Sequence, residues 1–385
     1  MRIVIFISFL LLFVSCKKEE DSKQNPFVGH WYFDKIVEYD ASKVKMPKSY
    51  LEIQDTPYYN FQILNDSVIN FKQGFYYFVE NKIKSDTYGY DFLRSAYYLG
   101  TKTKYKIKDS KLLFFDETSK EWDTITIQKR SGDTMIVSGY YKASYRLVKK
   151  KNTYFNANNY DAVIVDRSPC FGSCPFNSTY IDRNGNFYFK GYDSNTQTGN
   201  FNSKLDKKTV DELFNSFDKI DIFKLKDNYF AMTTCSQTNV ISFIKNGKIV
   251  KTISSYIECP IDLELAMTQL SYAYQKVKLN YDDQFIFDNE DVLFRFKTKG
   301  KDYFLKESED FFLEVNLRNG KKVNLDFIPK YKLDFNVFEE KHNVKSIMTD
   351  GRYYKFINKD NTTFTVDIGY NFIDSNPILK KDRNF

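Results

Sequence analysis

The cysteines are the residues of this chain whose spacing could support chemistry. Cys170 and Cys174 lie four residues apart in the stretch 167–176, around a glycine and between two prolines. Thiol oxidoreductases use C-x-x-C at a helix amino terminus that lowers the thiolate pKa. The spacing here is C-x-x-x-C, followed by Pro175 and a strand-like run, and the other cysteines lack the C-x-x-C spacing of zinc sites. We expect a cross-link rather than a redox or metal centre, and no cofactor.

Signatures of other chemistries are missing or unspecific. The two histidines, His30 and His342, fall in different predicted domains, so a Ser-His-Asp arrangement is not expected. No glycine-rich phosphate-binding motif occurs. Acids are plentiful, but no pair is singled out for glycoside hydrolysis. The 47 lysines outnumber the 10 arginines and are scattered among 50 acids, which disfavours nucleic-acid binding.

The amino terminus has the pattern of an export signal. Arg2 precedes an apolar run over residues 3–14, which is too short to span a bilayer, and Ser15 and Cys16 follow. This pattern resembles the lipobox of bacterial lipoproteins. The resemblance implies that residues 1–15 are a cleaved signal peptide and that Cys16 carries acyl chains such as palmitate, which hold the protein to the membrane. The alternative is an ordinary secretory signal with a chance cysteine.

A charged stretch follows the lipobox. Residues 17–21 are two lysines and three acids, and residues 16–25 are predicted to form a disordered tether. The stretch resembles the signal that sends Bacteroidetes lipoproteins to the outer face of the outer membrane. It implies a lipid-anchored protein exposed on the cell surface, with the periplasmic face as the alternative.

The oxidising compartment implied by this resemblance favours disulfides between the four other cysteines, for which three pairings exist. The hairpin predicted around residues 246–247 brings Cys235 and Cys259 together at its open end if a bulge absorbs one residue. Cys170 and Cys174 then remain for each other. We predict this pairing.

The elements that must carry these residues are mainly strands. Residues 26–150 contain nine short runs with apolar alternation, which predict a closed antiparallel barrel. Gly29 and Trp31 before the first strand, with Arg146 near the last, resemble the lipocalin-like superfamily. The resemblance implies that Trp31 closes the barrel floor and that Arg146 packs across it, with His30 in a packing role. Such a barrel either holds a small hydrophobic ligand or is filled by its own side chains.

Residues 155–279 predict an α+β domain. A strand, a hairpin at 184–185, a helix capped by Asp206, a second hairpin and a helix after Pro260 give a small antiparallel sheet covered by two helices. The motif at 170–175 and the stretch 223–229 resemble the bacterial family called domain of unknown function 6438. The resemblance implies a fold and no activity.

Residues 280–385 predict a β-rich block, either a domain of its own or an extension of the preceding sheet. The predicted strands cover 292–297, 311–318, 322–328, 353–358 and 363–369. The fold class is therefore mainly β with α+β.

The function expected from these features is that of a non-enzymatic, membrane-anchored lipoprotein that presents ligand- or protein-binding domains. Its partners would be the membrane, through Cys16, and envelope proteins or a small hydrophobic ligand. The alternatives are a surface hydrolase acting on glycans or peptides and a structural subunit of an envelope assembly. A deep pocket with convergent acids would favour the hydrolase.

Overall fold

The computed structural model describes residues 25–39, 56–82, 92–139, 143–151, 160–231, 235–287, 292–298, 300, 302–337 and 342–380. The predicted signal peptide, Cys16 and the tether up to residue 24 lie outside these ranges. The described residues are mostly strands, arranged as one closed barrel and two sheets, which confirms the predicted fold class. None of the helices in these ranges combines the length and hydropathy needed to cross a membrane.

The first sheet is a closed antiparallel barrel in which each strand pairs with its neighbour in sequence and β8 pairs with β1. Its strands are β1 (Gly29–Glu38), β2 (Phe61–Ile63), β3 (Val68–Lys82), β4 (Phe92–Lys108), β5 (Lys111–Asp116), β6 (Glu121–Ser131), β7 (Thr134–Ser138) and β8 (Ser144–Lys150). Side chains alternate between the inside and the outside of a barrel. The interior near the start of β1 is filled by Trp31, Phe61, Leu112 and Leu147, which are fully buried.

Beyond the barrel, β3 and β4 continue as a hairpin that packs on the middle of the molecule. The register of the two strands shifts at Phe75, beside Gly74, whose φ of +78° allows the bend. Tyr98 stacks on Tyr272 with ring centroids 5.3 Å apart, and its backbone N–H donates to Gln275 Oε1 at 2.9 Å. The first two predicted domains therefore share a hydrophobic core.

The middle sheet has eight strands in the order β13-β15-β14-β9-β10-β11-β12-β16. They are β9 (Ala162–Arg167), β10 (Phe176–Asp182), β11 (Asn186–Asp193), β12 (Gly199–Lys204), β13 (Asn228–Phe230), β14 (Thr238–Lys245), β15 (Lys248–Tyr256) and β16 (Asn280–Tyr281). Both predicted hairpins are present, as β10–β11 and β14–β15.

Two helices cover one face of this sheet, as predicted. They are α1 (Lys207–Phe217) and α2 (Ile261–Ser271). Asp206 caps α1 by accepting the N–H of Thr209 at 2.9 Å. Phe214 of α1 and Leu263 of α2 are buried in one core with Val163 of the sheet.

The third block forms a sheet of its own, in the order β18-β17-β20-β21-β22-β23-β19. Its strands are β17 (Val292–Lys297), β18 (Tyr303–Phe304), β19 (Lys321–Val323), β20 (Tyr331–Val337), β21 (Val344–Thr349), β22 (Tyr353–Asn358) and β23 (Thr363–Asp367). The predicted strand at 322–328 is reduced to β19, and β18, β20 and β21 were not predicted. The described residues of the whole chain also form a short helix, α4 (Phe372–Ser375), and several 3-10 turns. The turns are Thr56–Tyr59, Ile222–Lys224, Ala273–Lys276 and Pro377–Lys380.

The prediction of a strand at 311–318 is wrong, because these residues belong to helix α3 (Glu307–Asn319). The helix lies between the third sheet and the face of the middle sheet opposite α1 and α2. Even Glu309 and Glu314 are buried, so the polar face that marks a surface helix is missing. Glu314 forms a buried ion pair with Lys190 of the middle sheet at 2.7 Å.

Candidate ligand-binding site

The closed end of the barrel is built around Gly29 and Trp31. Trp31 is fully buried, and its indole Nε1–H donates to the carbonyl of Phe27 at 2.7 Å. A Cβ at residue 29 would lie 2.8 Å from Cδ of Lys149, and the φ of Gly29 is +138°. Glycine is therefore needed where the Lys149 side chain passes the first strand.

The role predicted for Arg146 is wrong. Tyr145 and Leu147 point into the barrel, so the alternation of β8 turns Arg146 outward, where its Nε donates to Asp34 at 2.5 Å. Lys149, on the inward side of β8, takes the position across the floor. Its Nζ lies 5.3 Å from the centroid of the Trp31 ring.

The opposite end of the barrel contains a cavity of about 710 Å³, which we call the cup. Its lining combines polar side chains with a group of aromatic rings, which includes Tyr58, Tyr59, Phe71, Phe75, Phe78 and Phe114. The ring centroids of Phe71 and Phe114 are 4.5 Å apart, and those of Phe71 and Phe75 are 5.9 Å apart. The barrel is thus filled by its own side chains at the floor and hollow at its mouth.

Two carboxylates stand at the rim of the cup. Asp116 and Asp123 share the inward parity of Phe114 and Ile125 on the same two strands. Asp116 Oδ1 accepts the N–H of Thr118 at 2.6 Å, and Asp123 Oδ1 accepts the N–H of its neighbour Thr124 at 2.6 Å. Asp116 thus supports the turn after β5, whereas Asp123 accepts from the backbone of its own strand. The arrangement favours binding of an apolar group below a negatively charged rim.

The sequence did not predict the cup, whose residues lie in strands and in the turns between them. A signal was present in the parity of β5 and β6. Apolar residues at 112 and 114 give way to Asp116, and those at 127 and 125 give way to Asp123. A change from apolar to acidic on one face marks the level at which a filled interior ends.

The disulfide between Cys170 and Cys174 is formed, with Cα atoms 5.7 Å apart. Gly172 has a φ of +138° within the enclosed loop. The loop presents Phe171, which is 88% exposed. Among the described residues no group of three His, Cys, Asp or Glu side chains is placed to hold a metal ion.

Comparison with known proteins identifies one stretch of the chain. Residues 161–277 match the family described as Domain of unknown function (DUF6438). The resemblance drawn from the cysteine motif is therefore confirmed for residues 161–277, which contain β9 to β15 and the two helices. No curated protein and no solved structure matches the chain.

Within the DUF6438 stretch the second predicted disulfide is absent, because Cys235 and Cys259 are free thiols. The register expected from the sequence is present. A one-residue shift in the β14–β15 hairpin pairs Thr238 with Tyr256, which would set Cys235 opposite Cys259 if the ladder continued. It ends there, and Ile257 turns the chain away with a φ of +67°. Cys235 remains exposed, whereas burial raises the pKa of Cys259 to about 12.

Proposed function

We propose that this protein is a Bacteroidetes-type bacterial lipoprotein, anchored through Cys16 in the outer membrane and exposed on the cell surface. Its barrel binds a small, largely apolar ligand, and it acts without catalysing a reaction. The observation that carries the proposal is the aromatic cup above a filled floor. Its ligand is neutral or cationic, because the rim carries Asp116 and Asp123.

The size and chemistry of the cup support ligand binding. Ligand cavities usually measure roughly 300–1,000 Å³ and are mainly apolar with a few polar groups. The cup, at about 710 Å³, lies within that range. Aromatic rings offer large contact areas with little loss of side-chain entropy on binding. The fully buried residues below the cup form a rigid base, so the cavity does not depend on rearrangement of the barrel.

The location rests on the sequence of the amino terminus and agrees with the disulfide at Cys170 and Cys174. Several acyl chains at Cys16 would hold the protein to a membrane almost permanently, since each buried methylene contributes about 0.8 kcal/mol. The anchor would place the cup outside the cytoplasm.

Titration with N-phenyl-1-naphthylamine, a neutral fluorescent probe of apolar sites, tests the binding function. We expect saturable binding with one site per chain. Asp123→Trp places a large ring at the rim from an exposed position and should weaken binding at least about ten-fold. Lys129→Trp is the matched control, because it adds the same ring at an exposed position of β6 outside the cup. Equal binding by the two variants would refute a site in the cup.

Labelling with radioactive palmitate tests the anchor separately. The chain should incorporate label and sediment with outer membranes, and Cys16→Ala should abolish the label. Protease added to intact cells should degrade a surface-exposed protein and spare one on the periplasmic face. Label that persists in the variant would disprove the lipid attachment while leaving the cup untouched.

A further inference from the structure

A second cavity lies on the outside of the barrel, where the barrel wall meets α1 and α2. We call it the cleft, and its volume is about 660 Å³. Five lysines line it against two carboxylates: Lys72, Lys102, Lys150, Lys151 and Lys219, with Glu212 and Asp262. This cavity is separate from the cup and independent of the function proposed for it.

The wall of the cleft is one continuous row across five strands. Lys150 pairs with His30, His30 with Gln62, Gln62 with Asn70, and Asn70 with Lys102. Directly paired residues on one face of a sheet have Cβ atoms about 4.5–5.5 Å apart. The register therefore aligns five outward polar side chains, with a lysine at each end.

The inner end of the cleft is fixed by a charged contact between the barrel and α2. Lys72 Nζ donates to Asp262 Oδ1 at 2.5 Å, and Tyr32 donates its hydroxyl proton to Asp262 Oδ2 at 3.0 Å. The Lys72 side chain is only 3% exposed. Both carboxylate oxygens of Asp262 thus accept hydrogen bonds, from Lys72 and Tyr32. No ion pair joins Lys102, Lys150 or Lys151 to an acid within the described part of the chain.

Two buried polar atoms in the wall have no hydrogen-bond partner among the described residues, His30 Nδ1 and Asn70 Oδ1. Burial, followed by the charges of Lys72 and Lys219, lowers the pKa of His30 to about 4. His30 is therefore a neutral hydrogen-bonding group at neutral pH. Buried polar groups without partners are costly, and a bound polar molecule would satisfy them.

We propose that the cleft binds a small phosphate-bearing molecule that also carries hydroxyl groups. The excess of lysines over carboxylates matches an anion with more than one negative charge, and lysine binds phosphate as a point charge. The unpartnered Asn70 oxygen requires a hydrogen-bond donor, which a hydroxyl group supplies. A free sugar phosphate and the head group of a phospholipid share this chemistry.

Isothermal titration calorimetry of the full chain in a nonionic detergent tests the proposal and separates the two sources. The probes are glucose 1-phosphate and water-soluble dihexanoyl phosphatidic acid, with glucose as the uncharged comparison. The variant Lys102→Gln/Lys150→Gln removes the two ends of the row. Lys104→Gln/Lys129→Gln removes the same charge from exposed positions of the barrel outside the cleft.

We expect one-to-one binding of at least one phosphate probe, weakened about ten-fold or more by the first variant and within two-fold of wild type in the control. The tighter probe identifies the source. Absence of binding by both phosphate probes to the wild-type chain would overturn the proposal without any variant. Equal weakening by both variants would also overturn it, because it would show a general charge effect.

Discussion

The barrel carries two cavities of similar volume and different lining. The cup, inside, is aromatic with an acidic rim, and the cleft, outside, is polar and rich in lysine. Strand β3 contributes to both. Phe71 points into the cup, while its neighbour Lys72 points into the cleft. The difference shows that an outward polar row can line a cavity and not only a solvated face, since here α1 and α2 pack beside it.

Substitutions of Phe71 and Lys72 should give the largest difference in stability between the two cavities. Phe71→Ala removes a buried ring packed on Phe61 and Phe114 and should lower the free energy of unfolding by about 3–5 kcal/mol. Lys72→Met keeps the length of the side chain and removes an ammonium group whose pKa is lowered mainly by burial. It should therefore lower the free energy of unfolding by about 1 kcal/mol or less. Urea denaturation measures both.

The comparison also predicts that only one of the two substitutions affects ligand binding in the cup. Phe71→Ala should change binding of the neutral probe in the cup, and Lys72→Met should leave it unchanged. A Lys72→Met variant as unstable as Phe71→Ala would show that the outer wall, and not only the interior, holds the barrel together.

Loss of the partner carboxylate should cost more than loss of the lysine. Asp262→Ala leaves the Lys72 ammonium buried without its counter-charge, and we expect a loss of about 2–3 kcal/mol. The cost is below that of a fully buried pair because the Asp262 side chain is 40% exposed. Adding Lys72→Met to Asp262→Ala should restore most of the stability. Thermal or urea unfolding of the two single variants and the double variant gives the coupling free energy between Lys72 and Asp262. Additive losses of stability would contradict this prediction.

The sequence predicted those parts of the fold that depend on local patterns. Alternation indicated the barrel, the Asn-Gly pairs indicated the hairpins, and Asp206 indicated the start of a helix. Parity alone would also have corrected Arg146, since Tyr145 and Leu147 are the apolar residues of that strand. The prediction of a disulfide between Cys235 and Cys259 failed because the register of a hairpin does not reveal where its hydrogen-bonded ladder ends.

Neither cavity was predictable in this way. The cleft joins Lys72 to Asp262 across 190 residues, and no local pattern reports that α2 packs against the barrel wall. Helix α3 was missed for a related reason, because burial between two sheets removed its polar face. Sites formed by contacts between distant parts of the chain require the tertiary arrangement.

His30 offers a pH-dependent test of the outer wall. Its pKa of about 4 in the folded protein lies below the ordinary value of 6.5, because burial disfavours the imidazolium. The unfolded chain binds the proton first as pH falls. The contribution of His30 to stability is therefore complete above about pH 6.5 and is lost as pH falls toward about 4. Lys72, Lys219 and Asp262 are the charged groups that act on it.

His30→Gln should remove this part of the pH dependence. Urea denaturation at pH 4, 5, 6 and 7 should show a difference between wild type and variant that changes between pH 4 and 6.5 and is constant above. Nuclear magnetic resonance of the imidazole protons checks the titration directly. A midpoint near 6.5 in the folded protein would mean that the wall is open to water at His30.

The smallest expected effect concerns the sign of charge at the mouth of the cup. Asp116→Asn/Asp123→Asn removes both rim charges, while each new amide oxygen can still accept the backbone N–H that the carboxylate accepted. Binding of the anionic probe 8-anilinonaphthalene-1-sulfonate should strengthen about five-fold at low salt and less at high salt. Binding of neutral N-phenyl-1-naphthylamine should not change. The control Asp109→Asn/Asp133→Asn removes the same charge from turns at the closed end, and an equal gain there would assign the effect to net charge and not to the rim.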